Sequence, residues 1–491
     1  MSPEIKKERK QRAIRSPKYR RRRRFFFGTL ALFLFALGVF VFLSYDHYVT
    51  YPGILVRDSI HARDRGLDFI ELIWDEVRNT DKYTVYVKEH VAIEEDVLTS
   101  EYTIDDSWNS YSCVGGSIKI DGLKEDTSYS FSIRPDNEKA EGLYTSVRNF
   151  RTKKTQKVEA VKNVTKLTCS KPFRIAAAAE TELMYESDNP DVAEITDAGE
   201  IKVVGEGKAV ITVHAKASED YMHDSTEVDL LVLASSPVNS GGAKSKYIYH
   251  LDTENCEVVK VIKGADGHVV PQSFGYTGEK YIIAYGMTGQ GRVVSYPVEG
   301  EGAEGKEVVK PKISLTHPNG FTYADENKTC YSVKGLSKRA IMYYPETGAF
   351  DSMNLTYGCS GIAYDRKEKL LYTSSPGLMV AYNIDDYSVA NTTGAVSHTS
   401  SWATQDIGGH AGILIRCLSP SRNTHGTNRI DLYDMREGKY LGSFSCDLSE
   451  VESAIVNKDG FLEILANNYG RDDYIWRTNI NIETLADGIE Y

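Results

Sequence analysis

The sequence lacks most of the short motifs that common enzyme chemistries leave behind. HExxH, GxSxG, P-loop and dinucleotide fingerprints are all absent, so the commoner hydrolase and nucleotide chemistries are without their parts. The three glycines of GMTGQG, Gly286 to Gly291, join two expected strands rather than open a helix, and read as a hairpin. Cysteine is sparse: seven residues, at 113, 169, 256, 330, 359, 417 and 446, form no CxxC pair. That spacing implies no zinc site or disulfide framework, and the odd count leaves at least one free thiol in an exported chain, so most of them read as small buried side chains. Long apolar runs are absent but for one, and excess basic charge is absent after residue 24.

What is present begins with a segregation of charge. Residues 1–24 hold 12 Lys/Arg against Glu4 and Glu8, a tail of +10, whereas the other 467 residues carry 46 Lys/Arg and 67 Asp/Glu, or −21. An acidic body argues against nucleic-acid binding, which needs a basic face. Directly after Arg20–Arg24 come twenty uncharged residues, Phe25 to Ser44, which as a helix span about 30 Å, the hydrocarbon thickness of a bilayer. The bulky residues that follow, Tyr45-Asp46-His47-Tyr48, do not suit signal cleavage, so residues 25–45 read as an uncleaved signal anchor. The positive-inside rule leaves residues 1–24 as a cytoplasmic tail and puts the rest outside.

The exported part reads as all-β. Between 51 and 153, short alternating strands are separated by turn residues, as in a sandwich of roughly 100 residues. Trp74 sits in an early strand, Tyr83, Val85 and Val87 share a face of the next, and Leu123, Thr127, Tyr129, Phe131 and Ile133 alternate in GLKEDTSYSFSIRP. With its early Trp and the Leu-x3-Thr-x-Tyr corner of Leu123, Thr127 and Tyr129, this stretch resembles the fibronectin type III family, from which the irregular segment Ala92 to Cys113 departs. Between 155 and 234 lies YESDNPDVAEITDAGEIKVVGEGKAVITVHA, a second small sandwich by its turns and apolar alternation. Its opening residues Ser187, Asn189, Pro190, Val192 and Ala193 and its ending Gly205, Glu206, Gly207, Ala209, Ile211, Thr212 and Val213 are similar to the group 2 bacterial immunoglobulin-like family. That resemblance implies a bacterial surface protein with the module as a spacer or stalk. Residues 235–245, SSPVNSGGAKS, read as a linker.

Residues 246–491 repeat with a period of 40–50, which suits the four-stranded blades of a β-propeller. Five segments open with paired strands: PQSFGYTGEKYIIAY, HPNGFTYADENKTCYSV, GCSGIAYDRKEKLLYTS, TQDIGGHAGILIRC and EVESAIVNKDGFLEILAN. A third strand recurs with Tyr296, Tyr344, Tyr382 and Tyr433 at one place, expected to fill the space between blades. The expected fold class is therefore all-β multidomain with one N-terminal transmembrane helix, two sandwiches and a five-bladed propeller, with six blades as the alternative.

In a propeller the first strand of each blade lines the axis, and its leading end opens on one rim. The repeat alignment places Gln272, Asn319, Ser360, Gln405 and Glu452 there, with Val270, His317, Gly358, Ala403 and Glu450 two residues earlier. Polar side chains at a wet rim need no ligand to explain them; the functional alternative is a ligand site. The expected binding set is Gln272, His317, Asn319, Ser360, Gln405 and Glu452. If the protein is an enzyme, His317, Glu450 and Glu452 are the expected catalytic groups. A faint likeness to gluconolactonase-type propellers implies a metal, for which only Asn319, Asp406 and Glu452 offer oxygens; no metal and no cofactor are expected. The four Asn-x-Ser/Thr sequences, at Asn163, Asn327, Asn354 and Asn391, are read as chance. The leading expectation is a surface protein binding an extracellular glycan, cell-wall polymer or protein ligand, and the alternative is an exported glycan hydrolase or lyase.

Overall fold

A computed structural model describes residues 17–90, 104–235, 247–262, 270–286, 291–298, 307–310, 314–394, 402–420, 427–468 and 471–489, with scattered positions between 3 and 10. Most of the expected linker, much of the irregular segment after Ala92, the middle of GMTGQG and part of the basic tail lie outside the described residues. The chain divides into two compact units, residues 1–157 with 215–224, and residues 158–214 with 225–491.

The first unit opens with helix α1, Pro17–Thr50, none of whose 34 residues is buried. It is long and apolar enough to cross a membrane or to serve as a signal sequence. The orphan carbonyls at its C-terminal end are taken up by the adjoining sandwich: Asn79 Nδ2 donates to Val49 O at 2.7 Å and Asn137 Nδ2 to Thr50 O at 3.0 Å. The Arg78 guanidinium donates to Tyr48 O while lying 3.7 Å above the Tyr48 ring.

That sandwich consists of a three-stranded sheet, His61–Arg65, Phe69–Ile73 and Ser117–Asp121, and a four-stranded sheet ordered Asn109–Cys113, Lys82–Glu89, Ser128–Asp136, Arg148–Arg151. Alternate residues point to one face of a strand, and Ile70, Leu72, Val85, Val87, Phe131 and Ile133 are accordingly sealed in the core. Trp74 meets Tyr83 edge to face at 5.3 Å. The Tyr129 hydroxyl accepts the Lys124 N–H at 2.8 Å, which closes the Leu123–Tyr129 corner.

In the second unit a four-stranded sheet runs in the order Leu183–Ser187, Gly207–Ala215, Asp224–Leu233, Asn163–Leu167, the last two strands parallel. After it, among the described residues, come five further sheets, whose first strands are β1 (Pro271–Tyr276), β2 (Pro318–Ala324), β3 (Gly361–Asp365), β4 (Trp402–His410) and β5 (Glu450–Val456). Each first strand packs against the next, and β5 packs against β1. β1 is covered on both faces: all six of its residues are buried, the polar Gln272 and Ser273 included. The strand Cys256–Ile262, which precedes β1 in the chain, is hydrogen-bonded to Asp473–Asn481 in the fifth sheet. Tyr247–Leu251 instead adds to the fourth sheet, parallel to Lys439–Cys446, so the strand that completes the fifth sheet is Cys256–Ile262.

Among the third-strand tyrosines, Tyr296, Tyr382 and Tyr433 are buried, but Tyr344 is only half-buried and Tyr343 takes the interior place. The register explains the exchange: Tyr343 lies opposite Cys330, as Tyr382 lies opposite Leu371 and Tyr433 opposite Leu414. In a strand, a slip of one residue turns a side chain to the other face.

The sheet containing Asn163–Leu167 and Asp224–Leu233 shares apolar interior with the fourth and fifth of the five sheets. Leu167, Leu231 and Leu233 belong to one cluster with Leu251, Ile413, Ile480 and Leu485. The short helix α2, Ile482–Ala486, ties the two together. Asn481 N donates to Thr165 Oγ1 at 2.9 Å, and the Lys166 ammonium donates to Thr484 O at 2.6 Å and Asp487 O at 2.9 Å. Burial pushes the Lys166 pKa down, a desolvation cost that these two carbonyls partly offset.

Candidate functional site

Four of the five first strands carry an irregularity near their leading ends. In β1, Pro271 pairs with Tyr285 and Ser273 with Ala284, leaving Gln272 as an extra residue. In β5, Val451 pairs with Ala466 and Ser453 with Leu465, leaving Glu452. Shifts also fall between Asn319 and Thr322 in β2 and between Thr404 and Ile407 in β4, the latter spanning Gln405 and Asp406. A bulge bends its strand and re-aims the extra side chain. Gln272, Gln405 and Glu452 thus lie where the backbone departs from regular pairing, whereas Asn319 is paired with Val333 and Ser360 stands just before a regularly paired strand.

Those bulges bring four of the expected residues into one hydrogen-bonded network. Gln272 Nε2 lies 3.4 Å from Glu452 Oε2. Gln405 Nε2 donates to Glu450 Oε1 at 3.3 Å. Asn467 bridges the two carboxyls, with Nδ2 at 3.2 Å from Glu450 Oε2 and 3.0 Å from Glu452 Oε1. Gln272, Glu452 and Asn467 are buried, while Gln405 and Glu450 are half-exposed. Burial above all, and then the Glu450 carboxylate, push the Glu452 pKa well above the usual carboxylate range, against the pull of the Asn467 amide. A proton held on Glu452 relieves the repulsion between two acidic groups on one strand face.

Asn319 and Ser360 form a separate pair, Asn319 Nδ2 donating to Ser360 O at 2.6 Å. His317 is not drawn in: it precedes β2, is exposed, and has a left-handed backbone, φ 52°. The three oxygens considered for a metal do not share a centre of contacts. Asn319 is turned to Ser360, Glu452 to Gln272 and Asn467, and Asp406 is buried against Ser453, whose hydroxyl donates at 2.6 Å. Among the described residues no group of three His, Cys, Asp or Glu side chains is arranged to hold a metal ion. Burial raises the Asp406 pKa to about 7, against the Ser453 hydroxyl and nearby backbone amides.

Two features escape the repeat alignment. Asn467 lies on the second strand of its sheet, outside the column of first-strand residues. At the other end of the first strands, Tyr276, Tyr323, Tyr364 and His410 line a depression of about 30 Å³ together with Arg366, room for only a water or two. Its polar groups are taken: Tyr364 is bonded to Glu326, Arg366 to Asp325, and His410 Nε2 lies 3.4 Å from Glu483. The recurring Tyr four residues after Gln272, Asn319 and Ser360 was the signal for it.

No protein-family model and no curated protein matches the sequence. Among solved structures, a hydrazine synthase of Kuenenia stuttgartiensis is similar at 12% identity and TM-score 0.28 over 40% of this chain, which spans about half (55%) of that one. The WD40 repeats of RRP9 align at 10% identity and TM-score 0.31, over 45% of this chain and 99% of theirs. The FN5 domain of Drosophila Lar aligns at 16% identity and TM-score 0.15, over 21% of this chain and 92% of its own.

Proposed function

We propose that this chain is a bacterial membrane-anchored surface protein, N-terminus in the cytoplasm and C-terminus outside, whose residues 246–491 form a five-bladed β-propeller binding a hydroxyl-rich extracellular ligand, a glycan or cell-wall polymer. Residues 51–153 and 155–234 serve as the stalk. The five sheets with first strands in cyclic contact, and the strand Cys256–Ile262 completing the last sheet, support the propeller reading. The arginine run ahead of α1 supports the orientation.

The observation that carries the ligand class is the network of Gln272, Gln405, Glu450, Glu452 and Asn467 at one end of the axis. Amides donate and accept, and a protonated carboxyl does the same, which matches sugar hydroxyls better than a fixed charge or an apolar group would. Half-exposed Gln405 and Glu450 are the groups a ligand meets first, with Glu452 and Gln272 behind them. A glycan array and wall-fragment binding to the detergent-solubilised full chain test the reading. The double change Glu452→Gln with Asn319→Ala should weaken binding roughly tenfold or more, the loss of one to two hydrogen bonds. Unchanged affinity would remove the axial end from consideration.

The neighbouring carboxyls of Glu450 and Glu452, joined through the Asn467 amide and with the Glu452 pKa raised by burial and by its neighbour, support a second reading, an exported glycan hydrolase or lyase using acid and base carboxyls. Turnover of wall sugars that disappears in Glu452→Gln would replace the binding-only reading; exposed His317 would then act only from the rim.

A further inference from the structure

The first sandwich has a groove along its side that the proposed function does not use. It runs between His61–Arg65, an edge of the three-stranded sheet, and Arg148–Arg151, an edge of the four-stranded sheet, and encloses about 670 Å³. Arg57, Arg63, Arg65, Arg148, Arg151 and Lys153 line it, against Asp64 and Glu219. Six of the fifteen Lys/Arg between residues 51 and 157 therefore face this one groove, with only one of that stretch's twenty Asp/Glu. The sandwich as a whole is acidic, so the patch is a concentration of charge and not an average.

We infer that this groove binds a linear phosphodiester polymer of the cell wall, independently of any ligand at the propeller axis. Arg65 joins the two edges, donating to Arg151 O at 3.1 Å and to Glu219 O at 2.8 Å, and is the groove's structural member. The others remain available. Arg63 and Arg151 are more than half exposed in their pairs with Glu71 and Asp126, and Arg148 is only 3.7 Å from an Asp58 that is itself 89% exposed. Exposed pairs of this kind are worth about 0–1 kcal/mol and yield readily to a multivalent anion. Arg57 is exposed, and among the described residues neither Arg57 nor Lys153 has an ion-pair partner.

Five of the six cations are arginines, whose planar forks grip phosphate through two hydrogen bonds. Charged side chains along an edge oppose the addition of a further strand, so contacts run through side chains to a polyanion and not through backbone to a peptide. The groove extends along the sandwich to Lys153 and Glu219. The end of the sandwich holding α1 is made instead by Arg78, Asn79 and Asn137, which disfavours lipid headgroups as the occupant.

Hydrogen exchange on the full chain in neutral-lipid nanodiscs, with long-chain inorganic polyphosphate as the probe, reads this groove separately from the basic tail. Amides of His61–Arg65 and Arg148–Arg151 should gain protection at 50 mM salt. With four phosphate contacts at a slope of about 0.7 each, the half-effect concentration should rise roughly 50-fold at 200 mM. Arg57→Glu with Lys153→Glu should raise it roughly tenfold or more; if that variant melts early, Arg57→Gln with Lys153→Gln should still raise it severalfold. No protection of the two strands, or protection indifferent to these changes, overturns the inference. Protection by phosphatidylglycerol in the nanodisc without polyphosphate overturns it in favour of the membrane.

Discussion

Asp406 is a carboxyl with no solvent-exposed surface, and its pKa is raised from 3.8 to about 7 because burial penalises its charge. An acid whose folded pKa lies above its unfolded value stabilises the fold fully below the unfolded pKa, and that contribution is lost as pH rises through the folded pKa. Three pH units correspond to about 4 kcal/mol at most. Asp406→Asn removes the titration, so the variant should gain stability relative to the unmodified chain as pH rises from 4 to 7, followed by denaturant unfolding of the full chain; a difference independent of pH would contradict the assignment. Glu452 acts with the same sign from its own unfolded pKa upward. Gln272, Gln405, Glu450 and Glu452 could be grouped from sequence because the repeat aligns them. Asn467 could not. Counting the β5 hairpin outward from the Val456–Leu462 pair without interruption sets Asn468 opposite Glu450, and the bulge at Glu452 shifts that partner to Asn467.

At the scale of the strand, close approach between first strands depends on particular glycines. Gly320 has φ +66°, and a Cβ there would lie 2.0 Å from Ile362 O and 2.5 Å from Ile362 N on β3. Backbone cannot yield as a side-chain tip can, so Gly320→Ala should cost about 3 kcal/mol or more in denaturant unfolding. Gly377, with φ +80° but nothing within 4 Å of its would-be Cβ, supplies the control: Gly377→Ala should cost only about 1–2 kcal/mol, the left-handed backbone penalty. Equal costs would mean that β2 and β3 do not approach as described. The placing of strands was legible in the sequence, as apolar alternation throughout and as its repetition every 40–50 residues after residue 246. Their register was not, and the exchange of Tyr344 for Tyr343 shows why: both are tyrosines, and only the pairing with Cys330 selects the inward one.

Over the second unit as a whole, residues 482–489 connect two sets of sheets distant in sequence. Ile482 and Leu485 are fully buried in the cluster that contains Leu167 and Leu233, and Thr484 hydrogen-bonds Thr165 N at 2.9 Å. Deleting 482–491 should therefore speed hydrogen exchange in Asn163–Leu167 and in Phe461–Asn467 together, by roughly tenfold or more, since a 1.4 kcal/mol loss shared through one core is tenfold in the opening equilibrium. Acceleration confined to one of them would mean that their stabilities are separate. The Ser- and Gly-rich stretch after Ala234 reads as a linker, yet the apolar residues on either side of it share one interior. Composition describes the covalent connection; it does not report which faces are later buried against each other.

By itself the sequence determined the segregation of charge, the one membrane-length helix, the β character of the rest and the repeat that aligns the polar positions. These are properties of spacing and composition, readable because periods of 2 and of 40–50 residues persist along the chain. Only the tertiary structure decided which of those positions meet, through bulges at Gln272 and Glu452, and left His317 outside. It also brought arginines more than 80 residues apart to the two sides of one groove. Contacts of that kind depend on backbone irregularity and on long-range closure, which leave no period behind.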